Sequence, residues 1–211
     1  MSLGKFFLGN GNYGFIRAQD IGAFDDLGNR NFREVKISGT HFPIRSTANF
    51  AQLAKNHCGA TQTFNLSELY MARHPQNHEL AELKKLNDLE HFKLIHAYVP
   101  NGPVVFLARR IKRFFHDIGL DFKYRKISKT NIKQSLDNDK PVALLLADGL
   151  ANWHWVLAIG YRIYPDGTLY LQLIDNHKNS TDSYYRINKG SWLAHACEYE
   201  LDFARLRLNF G

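Results

Sequence analysis

The chain has 211 residues, of which 45% are hydrophobic and 22% are charged, the composition of one ordinary globular domain. Two cysteines are too few for a disulfide framework, and no run approaches the ~18 consecutive apolar residues of a membrane span, so we expect a soluble chain. The formal net charge of +7 raises nucleic acid as a partner. No nucleic-acid recognition motif accompanies the basic residues, so we interpret them as a solvated surface and expect no nucleic-acid partner.

Helical patterns dominate the segment 59–137, after a Gly- and Asn-rich start with one predicted edge strand near "REVKIS". The first predicted helix covers 59–73. A second covers 79–87, where leucine recurs at helical spacing. A third lies in 103–119 and stops at a glycine, and a short fourth lies in 128–138.

From Pro141 onward the pattern changes to that of strands. Four apolar, β-branched or aromatic runs follow one another, namely "PVALLLA", "WHWVLAIGYRIY", "TLYLQLID" and "SYYRI". The stretch "YPDGT" between the second and third runs predicts a hairpin turn. Helices followed by a mostly antiparallel sheet make an α+β fold.

Cys58 stands at the start of the first predicted helix, in "NHCGAT". Unpaired backbone N–H groups and the helix dipole favour negative charge at that position, so they stabilise a thiolate. A nucleophilic thiolate also needs a base or a cationic partner.

His154 is the candidate base among ten histidines. It stands near the beginning of a run apolar enough to be a buried strand. We therefore expect the strand to anchor its imidazole, which could still reach a cleft. Strand alternation places it on the face opposite to Trp153 and Trp155. His57 is nearer to the cysteine in sequence, but adjacent side chains on a turn rarely face each other.

Two further groups complete a candidate site. A histidine of this kind is oriented by a third residue, and Asp175 closes the strand after the hairpin. A symmetrical hairpin would place residue 178 opposite His154, so Asn176 and Asn179 remain alternatives unless a bulge or a wider turn shifts the register. Gln52 precedes Cys58 by six residues and offers a donor for an oxyanion.

These blocks resemble papain-like cysteine peptidases. The matching stretches are Gln52 with "NHCGAT", then "HWVLAIGY", then "LIDNH", in that order along the chain. The likeness is greatest to a bacterial branch related to bacteriocin-leader peptidases. The resemblance implies a papain-like α+β domain over 46–211, with a helical first half and an antiparallel sheet in the second, and an N-terminal segment 1–45 packed on the same domain.

The resemblance also implies a role for each residue. Cys58 is the nucleophile, His154 the general base and acid, and Asp175 the group that orients His154. Gln52 and the backbone N–H of Cys58 form the oxyanion hole. The expected reaction is cleavage of an amide bond in a peptide or protein substrate, with no metal or cofactor.

Other functions remain open at this point. A deamidase, a transglutaminase or a cell-wall peptide amidase would use the same Cys, His and Asp, and a catalytically inactive binding protein would keep the scaffold alone. The sequence lacks the phosphate-binding motif "GxxxxGK[ST]", so a leader peptidase fused to a transporter is not indicated. The pair His195 and Cys197 lacks the repeated spacing of a zinc site.

Overall fold

A computed structural model describes residues 13–25, 27, 31–102, 104–149 and 152–202. This part of the chain forms six α-helices and seven β-strands. The helices are α1 (Ile21–Phe24), α2 (Cys58–Arg73), α3 (His78–Lys84), α4 (Asp88–His96), α5 (Leu107–Asp117) and α6 (Ile132–Asp137). The strands are β1 (Arg33–Lys36), β2 (Asp121–Lys126), β3 (Val142–Ala147), β4 (Trp153–Ile163), β5 (Leu169–Ile174), β6 (Ser183–Arg186) and β7 (Trp192–Asp202).

All seven strands join one antiparallel sheet. The strand order is β2-β7-β3-β4-β5-β6, and β1 pairs with the part of β4 that follows its pairing with β3. All six helices precede β3 in the chain, so the predicted α+β class, with helices concentrated in the first half and most of the sheet in the second, is confirmed. The predicted edge strand near "REVKIS" is β1, and the four predicted strand runs contain β3, β4, β5 and β6.

The centre of the sheet is β4, and it is irregular at one point. Its register against β5 shifts between Ala158 and Gly160. A Cβ atom built on Gly160 would lie 2.5 Å from the Val35 carbonyl oxygen of β1. Only glycine therefore lets β1 approach β4 this closely.

Helix α2 is enclosed on almost every side. It packs against β4, α3 and α4, and its buried residues include polar ones: Thr61, Gln62, Thr63, Asn65 and Ser67. A helix with so little exposed surface lies at the centre of a domain. Its first residue, Cys58, is therefore held in a fixed position beside the sheet.

The N-terminal residues 13–25 pack along the outer side of β6. Ile16 forms an isolated antiparallel bridge with Tyr184. Ile21 is fully buried in a small hydrophobic cluster separate from the main core, together with Leu27, Tyr164, Tyr170 and Tyr184.

Several elements differ from the sequence prediction. The helix predicted over 79–87 ends at Lys84, and a separate helix, α4, follows it. Asn87 begins α4 with a capping box, its side chain accepting from Glu90 N while the Glu90 carboxylate accepts from Asn87 N. Strands β2 and β7 are not predicted by the apolar pattern.

Among the helices of the described ranges, none has the length and apolar character needed to cross a bilayer.

Candidate active site

Cys58 occupies the first position of α2, as the sequence predicts for a nucleophile. Burial raises the pKa of its half-buried thiol, while backbone N–H groups of Trp155, Gly59 and Cys58 itself act in the opposite direction. The raised pKa differs from the expectation that the helix start alone stabilises the thiolate. Desolvation of the charged form outweighs the N–H donors, so the resting group is a neutral thiol.

The contact with Trp155 brings Cys58 to strand β4. Trp155 follows His154 directly, and the Asn176 side chain donates to the carbonyls of both Cys58 and Trp155, so Cys58 lies at the same point of the strand as the candidate base. Tyr13 links the same two residues, because its ring stacks on His154 and its phenol interacts electrostatically with Cys58.

His154 is 3% exposed and its ring is fixed by a backbone group. Its Nε2 atom lies 2.5 Å from the backbone carbonyl oxygen of Asp175. A carbonyl can only accept, so Nε2 carries the hydrogen and Nδ1 keeps its lone pair in the neutral ring. The free lone pair is what a general base requires.

Burial lowers the pKa of His154 to about 3, helped by the neighbouring His177 and opposed by the Asp175 carbonyl. The rings of His154 and His177 have centroids 4.0 Å apart. His154 is therefore neutral at neutral pH, the form that can accept a proton from the Cys58 thiol.

The carboxylate of Asp175 bonds within its own turn and to β6. It is fully buried and accepts hydrogen bonds from His177 N at 2.8 Å, Lys178 N at 3.0 Å and the Ser183 hydroxyl. Asp175 is thus next to His154, as the sequence predicts, but the contact is made by its main chain. Its side chain shapes the turn that presents this carbonyl.

Asn176 connects the cysteine and histidine elements without bonding to the His154 ring. Its backbone has a positive φ of 60°, and its side-chain Nδ2 donates to the Trp155 carbonyl at 2.8 Å and, at 3.5 Å, to the Cys58 carbonyl. Asn65 of α2 donates to its Oδ1 at 3.1 Å. This buried amide ties α2 to β4 at the site.

Gln52 lies in the turn after a 3-10 helix, Thr47–Phe50, and its side chain is exposed. The same short helix is tied to the site by two bonds, since Thr47 N donates to the Asn176 carbonyl at 2.8 Å and His57 Nε2 contacts the Thr47 carbonyl at 3.0 Å. Gln52 therefore stands on a loop that borders the site. Its role in an oxyanion hole remains a prediction.

His57 is engaged elsewhere. Besides its bond to Thr47, its ring lies edge-on to Phe92 at 5.3 Å between centroids. Burial lowers its pKa, so it is a neutral structural histidine.

Apart from Cys58 and His154, a group of Ser67, His91 and Glu68 has the residue types of a catalytic triad. His91 Nε2 is 3.0 Å from the Ser67 hydroxyl, and His91 Nδ1 is 3.6 Å from a Glu68 carboxylate oxygen. Ser67 and His91 are at most 2% exposed, and the Ser67 hydroxyl donates to the Phe64 carbonyl. A substrate cannot reach this serine, so the group is structural.

A groove of about 680 Å³ lies on the face of β4 that carries Trp153 and Trp155, opposite to the face of His154. Trp155 forms part of its wall and donates from its indole to the Val104 carbonyl at 3.0 Å. Phe106 and Trp192 also line it and are 74% and 71% exposed. Large apolar side chains this exposed indicate a binding surface.

The second cysteine, Cys197, is buried at the wall of the groove. Cys197 lies in β7, and burial raises its pKa to about 12. Both cysteines are free thiols. Within the described ranges, His, Cys, Asp and Glu side chains form no group of three that could hold a metal ion.

Sequence reasoning missed Tyr13, Asn176 as a bridge, and His177. Tyr13 lies in a loop more than 140 positions before His154 and follows no motif, so nothing in the sequence indicates its position. For His177 the hairpin register is the only usable signal. A symmetrical turn points to residue 178, the one-residue shift in β4 moves that expectation to 177, and the His177 ring indeed contacts the His154 ring.

Comparisons with known proteins give a structural likeness without a sequence match. No family model matches the chain, and no curated protein matches its sequence. The fold is similar to a solved structure from Bacillus anthracis of a protein proposed to be a C39-like peptidase, with 14% sequence identity and a TM-score of 0.46. The match covers 80% of this chain and 98% of the other.

Proposed function

We propose that this protein is a papain-like cysteine peptidase that cleaves an amide bond with Cys58 and His154. The observation that supports this most directly is the meeting of two elements. The Asn176 side chain donates to the carbonyls of both Cys58 and Trp155, so the start of α2 lies beside the residue after a histidine whose tautomer leaves Nδ1 free. Acyl transfer through a thiol requires a nucleophile and a base close to each other. In this chain the start of a helix carries the nucleophile, and the end of a strand carries the base.

In the proposed reaction the Cys58 thiol passes its proton to His154 Nδ1 as the sulfur attacks the carbonyl carbon. The oxyanion forms next to the backbone N–H of Cys58, and Gln52 supplies the second donor. His154 then protonates the leaving amine as the C–N bond breaks, which leaves a thioester on Cys58. Water activated by His154 cleaves the thioester and releases the acid.

In this proposal the carbonyl of Asp175 takes the part of the third residue. It fixes the tautomer of His154 and also stabilises the imidazolium, because a carbonyl dipole points its negative end at the ring. The Asp175 carboxylate contributes by holding the turn.

The test is selective loss of activity. Cys58→Ala is expected to abolish amide hydrolysis of a diverse peptide mixture, measured by mass spectrometry of the products, and Cys197→Ala to leave it unchanged. Iodoacetamide should label Cys58 ahead of Cys197, because Cys58 is partly exposed and Cys197 is buried. Hydrolysis that persists in Cys58→Ala refutes the proposal. Equal inertness of both thiols would favour a binding protein on the same scaffold.

A further inference from the structure

The segment 13–17, which we name the arm, lies over the candidate site. The Tyr13 ring stacks on His154 with centroids 4.8 Å apart and an angle of 20° between the planes. Its hydroxyl donates to Asn152 Oδ1 at 2.8 Å. Tyr13 and His154 are each 3% exposed. The phenol thus occupies the space beside the imidazole that a substrate would need.

Few backbone hydrogen bonds hold the described residues of the arm to the rest of the chain. Ile16 and Tyr184 exchange two backbone hydrogen bonds of 2.9 and 2.8 Å, and Ser191 N donates to the Tyr13 carbonyl at 3.3 Å. This pairing is an isolated bridge rather than a strand. Segments with so few backbone bonds open locally at a small fraction of the cost of global unfolding.

The chain that follows the arm is held much more firmly. Ala18 N donates to Asp182 Oδ1 at 2.9 Å, and Ile21 is fully buried. The carboxylate of Asp25, 4% exposed as a side chain, accepts from three side chains of the sheet half: Tyr170, Arg186 and Lys189. We name residues 18–25 the anchor. It keeps the arm close to the site even when the arm lifts.

We propose that the arm is a tethered gate that inhibits the Cys58–His154 site by stacking Tyr13 on His154, and that it opens by lifting from the anchor. This rests on the proposed function. In the closed form Tyr13 holds His154 dry and denies an acyl group access to the thiol. Substrate binding must therefore displace the phenol, and the observed rate is the rate of the open form multiplied by its population.

Gly14 offers a way to open the gate without removing Tyr13. Its φ is +84°, and a Cβ atom on it would lie 2.8 Å from Gly190 Cα. Gly14→Ala therefore strains the closed arm while Tyr13 itself is retained. Gly167→Ala is the matched control, because Gly167 has a φ of +83° and a Cβ atom on it would meet nothing within 4 Å.

The experiment compares Tyr13→Ala, Gly14→Ala and Gly167→Ala with the unaltered chain. The rate of Cys58 alkylation by iodoacetamide is expected to rise at least about tenfold in the first two and to stay unchanged in Gly167→Ala. In parallel, NMR titration of the His154 ring in a Cys58→Ala background follows the gate without using activity. The ring pKa should rise from about 3 towards its ordinary value once the arm no longer covers it.

An unchanged His154 titration in both Tyr13→Ala and Gly14→Ala overturns the gate. A His154 pKa that rises in both, with hydrolysis absent from every variant that keeps Cys58, supports the gate as a cover of His154 and contradicts the proposed function. An equal increase in the rate of Cys58 alkylation in Gly14→Ala and Gly167→Ala also overturns the gate, because general backbone strain would then explain the increase.

Discussion

A backbone carbonyl, rather than a side chain, meets the Nε2 atom of His154. The sequence places Asp175 at this point correctly, since it closes the strand after the hairpin. It does not reveal which atom of Asp175 turns to the ring. The answer depends on the turn after β5, where two N–H groups and the Ser183 hydroxyl all donate to the carboxylate.

Asp175→Ala should therefore affect stability more than the chemistry of Cys58. The free energy of unfolding should fall by about 1–3 kcal/mol, because the buried Ser183 hydroxyl and two N–H groups lose their acceptor. The pH dependence of Cys58 alkylation should stay close to that of the unaltered chain. Urea unfolding and alkylation rates measure the two effects.

The control for this substitution is Asp166→Ala, which removes a turn aspartate that accepts from Thr168 N in the hairpin between β4 and β5. A shift of about one unit in the alkylation midpoint of Asp175→Ala, without loss of stability, would contradict this assignment. It would show that the carboxylate itself orients His154.

Gln52→Ala tests the predicted oxyanion donor. Loss of one such donor should lower kcat by on the order of 10²-fold. Because the Gln52 side chain is exposed, the free energy of unfolding should change by less than about 0.5 kcal/mol. Steady-state kinetics on a cleaved peptide measures the effect, and Gln134→Ala, at another exposed glutamine, is the control. A kcat equal to that of the control would remove Gln52 from the site.

At the scale of elements, the hairpin of β4 and β5 shows what a pattern can and cannot predict. The alternation of apolar residues and the turn "YPDGT" give both strands. Their register needs the bulge between Ala158 and Gly160, which arises because β1 approaches Gly160 from the side. A contact between segments more than 120 residues apart in sequence leaves no local signal.

Strands β2 and β7 are hidden for a related reason. They pair with each other at the edge of the sheet, and most side chains of β2 are exposed. In β7 the buried Glu198 interrupts the apolar pattern, and it is satisfied by Arg125 at 2.9 Å and the Ser135 hydroxyl at 2.6 Å. In a sequence pattern a glutamate counts as a polar residue, so the pattern does not predict that Glu198 is buried.

The groove beside β4 gives a testable prediction about substrate binding. Trp192 is 71% exposed at its rim, so Trp192→Ala should leave folding unchanged. If the groove binds the chain that flanks the cleaved bond, KM should rise several-fold with little change in kcat, because binding is lost equally in ground and transition states. Leu89→Ala, an apolar residue 40% exposed on α4, is the control. An unchanged KM would exclude the groove from substrate binding.

For the whole molecule, buried histidines contribute to the response to acid. The pKa of His154 is about 3 in the folded chain, and those of His57 and His177 are also lowered. Between pH ~6.5 and ~3 the unfolded chain binds protons that the folded chain does not, so the free energy of unfolding falls as the pH falls through this window.

Urea unfolding at several pH values between 7 and 4 measures this loss. In His154→Gln the loss should be smaller, because one buried titrating ring is gone while an amide can still bond to the Asp175 carbonyl. His78→Gln is the control, at a histidine whose side chain is 82% exposed. An equal loss in His154→Gln and in the unaltered chain would contradict the assignment of His154 as a buried neutral base.

The most direct test of the central claim is peptide hydrolysis in water enriched in ¹⁸O. The unaltered chain, Tyr13→Ala, Cys58→Ala and Cys197→Ala are each incubated with a diverse peptide mixture, and the products are analysed by mass spectrometry. We expect new carboxyl termini carrying ¹⁸O with the unaltered chain and Cys197→Ala, more with Tyr13→Ala, and none with Cys58→Ala. The same cleavage in Cys58→Ala, or no cleavage even in Tyr13→Ala, would contradict a thiol peptidase built on Cys58 and His154.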